Sequence, residues 1–212
     1  MQPTNQLFWV AVVMDMLALV LSLVISFYFT LGILFYILAS RAYSYRGIRL
    51  KQYPIMGFLV VFLFQGALIF FCIYHAADPQ HTLDVPLLPC LVSSLLIGAS
   101  YPLTQIYQHE QDKQDGVITL SYLLGKRGTF VFSMSLFLLA TACMYFILPR
   151  VNDFVLFLLC LLPVVVFFLR WMYAVWKNSH AADFKNSLRM NVISTLCMLV
   201  YFSTLIILNH FE

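Results

Sequence analysis

Seven apolar runs of about twenty residues, separated by short polar segments, set the pattern of this chain. They cover residues 6–25, 26–45, 54–75, 87–107, 129–148, 153–176 and 188–209. A helix rises ~1.5 Å per residue, so roughly 20 apolar residues cross a hydrocarbon core of about 30 Å. The runs are continuous, without the ~10-residue alternating segments of a transmembrane barrel. The pattern predicts an all-α fold: one polytopic transmembrane helical bundle of about seven spans, filling residues 1–212.

Polar interruptions within the runs are few, and each asks for an explanation. Asp15 sits near the middle of the first run. It is either a carboxyl paired with a neighbouring helix or a group lining a polar cavity. Gln65, beside Gly66 in the third run, needs a partner, and a hydrogen bond to another helix supplies one. Pro54 opens the third run, where its missing N–H costs little. Pro102 lies late in the fourth run and is expected to kink or open it, delivering a polar, distorted end.

Composition agrees with a lipid environment. The 212 residues are 62% hydrophobic and 10% charged, with mean hydropathy +0.89, against roughly 25% charged in soluble domains. The first cation is Arg41, so no basic leader precedes the first run. Eleven Lys and Arg fall on one side of the predicted spans and Arg150 alone on the other. The positive-inside rule then puts the N-terminus and the 107–128 loop in the cytoplasm and the C-terminus outside. The five cysteines all lie in apolar runs without metal-ligand or CxxC spacing, which suits packing.

Charge concentrates in two places on the expected cytoplasmic side. Arg41, Arg46, Arg49 and Lys51 follow the second run, together with Tyr43, Tyr45 and Tyr53. This is an interfacial anchor, an anion site, or both. The stretch from Gln105 to Thr129 carries Glu110, Asp112, Lys113, Asp115, Lys126 and Arg127. Gln105, Gln108, Asp112 and Asp115 would share one face of a continuing helix, which Gly116 would end. Carboxylates and amide oxygens without a thiol suit a hard ion such as Mg2+, which takes its remaining ligands from water and phosphate. Lys126, Arg127 and the Arg46–Lys51 cluster offer charge to phosphate oxygens. The competing reading is a solvated loop whose charges merely stay in water. His109 with Asp112 makes too few ligands for a transition metal.

Asp112-x-x-x-Gly116-x-x-Thr119-Leu120, followed by Leu124-Gly125, resembles the second aspartate-rich motif of the UbiA family of intramembrane prenyltransferases. Tyr43-Ser44-Tyr45 with Arg49 and Lys51 resembles the Tyr- and Lys/Arg-bearing end of that family's fourth helix. The resemblance covers essentially the whole chain. It implies a helical bundle around a cavity open to the bilayer, and transfer of an isoprenyl group from a prenyl diphosphate to a hydrophobic or aromatic acceptor. It implies no nucleic-acid partner. Asp112 would be a catalytic metal ligand for Mg2+, with Glu110 and Gln108 as further candidates. Lys126, Arg49, Lys51, Arg46 and Tyr43 or Tyr45 would contact the diphosphate, and Asp15 and Asp115 are additional candidates.

Two departures qualify that expectation. The first acid of the family's Asp-x-x-x-Asp spacing falls on Gln108, and the family's first motif, of Asn-Asp-x-x-Asp type, is not in this sequence. The chain reads as a fragment, or a shortened form, beginning just before the family's third helix, and these 212 residues alone are expected to be inactive or very weak. The alternative is a non-catalytic membrane protein that keeps the prenyltransferase fold. A small transporter would need charges along several spans, and Asp15 is the one mid-span acid.

Overall fold

The computed structural model describes residues 5–211, with side chains over 6–208. Among the described residues every regular element is helical. We number the helices α1 (Asn5–Ser22), α2 (Phe27–Ser44), α3 (Pro54–Ala77), α4 (Leu87–Gln105), α5 (His109–Gln114), α6 (Leu120–Ile147), α7 (Val151–Lys177) and α8 (Phe184–Phe211). Five of them, α3, α4, α6, α7 and α8, are long and apolar enough to cross a membrane by length and composition. The first two runs form the 18-residue helices α1 and α2. Leu, Val, Ile and Phe cover much of the outer surface, as lipid-facing helices require.

Helices α1 and α2 pair through the turn at 23–26. Ser26 caps α2, its Oγ accepting from the Phe29 N–H at 3.0 Å. Asp15 pairs with Arg41 of α2. Of the two sequence readings, the structure gives the interhelical one: Asp15 lies on the α1–α2 seam, and Arg41 reaches back along its helix to meet it.

Helix α3 begins at Pro54 and widens into a π-helical stretch over Val61–Leu68. Gly66 there lies against α4: a Cβ would stand 2.4 Å from Ser94 Cα. The Ser93 hydroxyl donates to the Gly66 carbonyl at 3.1 Å. Among the described residues Gln65 makes no interhelical hydrogen bond; it borders a small pocket between α2 and α3 with Tyr36, Ser40 and Tyr43.

Helix α4 is the centre of the bundle, with α3 on one flank and α6 on the other. It runs through Pro102 to Gln105, so the expected opening comes three residues later. Pro102, Leu103, Gln105 and Ile106 are all buried, and packing on both flanks holds the turn despite the lost donor. The polar stretch that follows is largely helical. It forms α5 and the first turns of α6, which starts at Leu120, nine residues before the expected Thr129. Gly116 (φ +68°) ends α5, Thr119 caps α6, and Gly125 (φ +68°) breaks α6 after its first turns. Beyond α6 the main core gathers Leu103 and Ile106 of α4, Phe130 of α6, Phe168 and Trp171 of α7, and Met190 of α8. All five cysteines are free, in keeping with packing roles.

Candidate functional site

The charged end of the bundle brings together the last turn of α2, the α2–α3 turn, the last turn of α4, α5 and the start of α6. On α2 and α4, the phenols of Tyr43 and Tyr101 hydrogen-bond to each other. The Gln105 amide N–H donates to Tyr101 Oη at 2.8 Å. Both phenols lie close enough to Asp112 to feel its charge.

Asp112 sits on the inner side of α5. Burial holds its carboxyl above the usual carboxylate range; Lys51 and Arg49 pull it down, and Asp115 pushes it up. Lys51 is delivered by the 3-10 turn Leu50–Gln52. Gly57 lets that turn lie close on α3, since a Cβ there would approach Lys51 Cα to 3.2 Å. Arg49 has positive φ (45°) and clasps the end of α5: its Nη1 donates to the Asp115 carbonyl at 3.3 Å, and its Nη2 lies 3.8 Å from Asp115 Oδ2.

The remaining candidates are distributed around this cluster. Glu110 is exposed on α5. The Gln108 amide donates to Tyr107 Oη at 2.8 Å. Tyr43, rather than the 64% exposed Tyr45, faces the acid, and Arg46 is exposed. Lys126 donates to the Ser179 carbonyl at 3.0 Å, and Arg127 to the Trp176 carbonyl at 2.9 Å, so both cations tie α6 to the end of α7. Asp15 lies outside the cluster, in its pair with Arg41.

Two residues that the motif reading did not single out complete the geometry. Tyr101 links Tyr43 to Gln105, and nothing in its local sequence distinguishes it from a packing tyrosine. His109 braces α5: its Nε2 and Ser121 Oγ are 2.8 Å apart, and Ser121 Oγ lies 3.0 Å from Thr129 Oγ1. Thr129 Oγ1 also reaches the Ser121 and Gly125 carbonyls. Burial, with Lys126 nearby, lowers the His109 pKa, which favours the neutral ring.

Among the described residues no group of three His, Cys, Asp or Glu side chains is placed to hold a metal. Asp112 Oδ2 is nevertheless buried with no hydrogen-bond partner, as is Gln105 Oε1. Buried acceptors are normally paired. A lone carboxylate is also the donor set Mg2+ accepts when water and phosphate complete its shell. The residues present therefore fit one such ion. A cavity of about 370 Å³ opens across α4 from this cluster, lined by Leu96, Phe137, Leu161, Phe168 and Met198 among others.

Comparison with known proteins bears on the family and the fold. The profile of the UbiA prenyltransferase family matches residues 3–194. No curated protein matches the chain. A solved structure of digeranylgeranylglyceryl phosphate synthase superposes with TM-score 0.62 at 22% identity, over 93% of this chain and 68% of that one. At that identity the likeness is one of fold.

Proposed function

The chain belongs to the UbiA prenyltransferase family, and we propose that it transfers an isoprenyl group from a prenyl diphosphate to a hydrophobic or aromatic acceptor, with Mg2+, at the cytoplasmic face of a bilayer. In this reading the N-terminus lies in the cytoplasm and the C-terminus outside. The observation that carries it is Asp112: a half-buried carboxylate with one buried, unpartnered oxygen, flanked by Lys51 and Arg49 at the mouth of an apolar bundle.

Each group has a task. Asp112 binds the cation, because a diphosphate placed directly on a carboxylate would be repelled. Lys51 neutralises diphosphate oxygens. Arg49 does the same from its clasp on Asp115 and fixes the α2–α3 turn over α5. Tyr43 and Tyr101 offer phenol hydroxyls on the α2–α4 side of Asp112. Lys126, Arg46 and Tyr45 contribute from the rim, and Glu110 and Gln108 stand in the outer shell of α5. In the reaction the bond between the allylic carbon and the diphosphate oxygen breaks, a bond from that carbon to the acceptor forms, and the acceptor loses a proton. Bound Mg2+ would stabilise the departing diphosphate.

The test is Mg2+-dependent release of pyrophosphate from a prenyl diphosphate in liposomes, run in whichever form of the protein is active. Asp112→Asn should abolish it while leaving membrane insertion intact; unchanged release sinks the assignment. The absence of a three-ligand group among the described residues favours a second reading, a non-catalytic protein that keeps the fold. Binding of prenyl diphosphate with Mg2+ but no turnover with any acceptor supports that reading.

A further inference from the structure

Resting on the proposed Mg2+ site, we infer that Gln105 supplies its second protein ligand, in place of the acid that the motif lacks at Gln108. The amide of Gln105 is 6% exposed, and its nitrogen is committed to Tyr101 Oη at 2.8 Å. Its carbonyl oxygen is left buried and unpartnered. An amide oxygen in that state loses its water without gaining a donor, which is unfavourable unless something occupies the position. Asp112 Oδ2 is in the same condition. Gln105 is hydrogen-bonded to Tyr101, and Tyr101 lies within electrostatic reach of Asp112, on the helix that follows α4.

Two buried oxygens at one end of the bundle, each lacking a donor, call for a cation. The phenol–phenol bond between Tyr101 and Tyr43 fixes the acceptor of the Gln105 N–H and turns the Gln105 oxygen away from it. Tyr101 is thus a positioning residue. Gln108, at the position the motif spacing names, has its amide engaged with Tyr107. The helix break after Gln105 explains the exchange: α4 stops there and α5 restarts at His109, so sequence spacing no longer measures proximity. A neutral amide beside one carboxylate leaves the site one negative charge weaker than an acid pair, with more of the cation's charge for diphosphate.

The experiment is Mn2+ binding to the purified full chain, read by electron paramagnetic resonance with inorganic pyrophosphate present. Gln105→Leu should weaken binding about tenfold or more, as loss of a metal-site partner does. Gln105→Glu, nearly the same shape with an added charge, should tighten Mn2+ and weaken pyrophosphate. Gln108→Ala should change Mn2+ affinity less than twofold. Tyr101→Phe should fall between, and Mn2+ at raised concentration should restore it. If Asp112→Asn abolishes Mn2+ binding while both Gln105 variants bind as wild type, the Gln105 role is overturned and the Asp112 site stands. If Asp112→Asn also binds as wild type, both are overturned.

Discussion

Removing the Ser121 hydroxyl tests whether α5 is held in place by its buried hydrogen-bond chain. Ser121 is fully buried, between His109 Nε2 at 2.8 Å and Thr129 Oγ1 at 3.0 Å. In Ser121→Ala, Thr129 keeps its bonds to the Ser121 and Gly125 carbonyls, so His109 alone loses its partner. His109 is half-buried, so leaving its nitrogen unsatisfied costs at most about 1–3 kcal/mol, the figure for a fully buried group. Helix α5 has six residues, too few to be stable without tertiary contacts. The cost therefore falls on the docking of α5 and leaves the apolar core intact. At 1.4 kcal/mol per decade, amide exchange across α5 should accelerate by at most about 5–150-fold. Exchange in α6 beyond Phe130 and in α7 should not change. Hydrogen–deuterium exchange on the reconstituted protein measures both, and Mn2+ affinity should fall with the protection of α5. Wild-type protection of α5 in Ser121→Ala would refute the bracing role.

The raised carboxyl of Asp112 gives opposite pH signatures for metal binding and stability. Metal binding needs the carboxylate, so Mn2+ affinity should fall as pH drops through the folded pKa, at a pH above that of an ordinary aspartate. The metal-free fold holds the proton more tightly than the unfolded chain, so its stability should fall as pH rises through that same pKa. Thermal unfolding with and without Mn2+ checks both, and Asp112→Asn should flatten both profiles. Lys51→Ala should weaken pyrophosphate binding more than Lys126→Ala, because Lys51 acts on Asp112 whereas Lys126 is tied to the Ser179 carbonyl; isothermal titration decides the order. Gly66→Ala would place a Cβ 2.4 Å from Ser94 Cα and strain the Ser93 bond to the Gly66 carbonyl. It should destabilise the α3–α4 pair by about 1–3 kcal/mol, visible as faster thiol labelling of buried Cys72 on heating.

What the sequence made legible follows from which forces act locally. Membrane spans are specified by length and hydropathy alone, so the runs in the third, fourth, sixth and seventh places became helices within a few residues of their expected limits, while the helix of the fifth starts nine residues early. The polar stretch was harder, because in it local signals decide against composition. Thr119 caps a helix nine residues before the apolar run begins, and Gly125 lets the chain break and continue. The site divides along the same line. Asp112, Lys51 and Arg49 were legible because charge in a chain this apolar has few reasons to exist. Tyr101 and Gln105 were not marked as a pair, since what their hydrogen bond leaves exposed to the charged stretch depends on α4 ending where it does and α5 restarting at His109. The motif spacing counts residues along one helix. The structure interrupts that helix between Gln105 and His109, so the count along the chain no longer reports which side chains share a face, and Gln108, which fits the count, is turned to Tyr107. In a short helix docked by side chains, contact order through Tyr101 and Ser121 determines the site more than periodicity does.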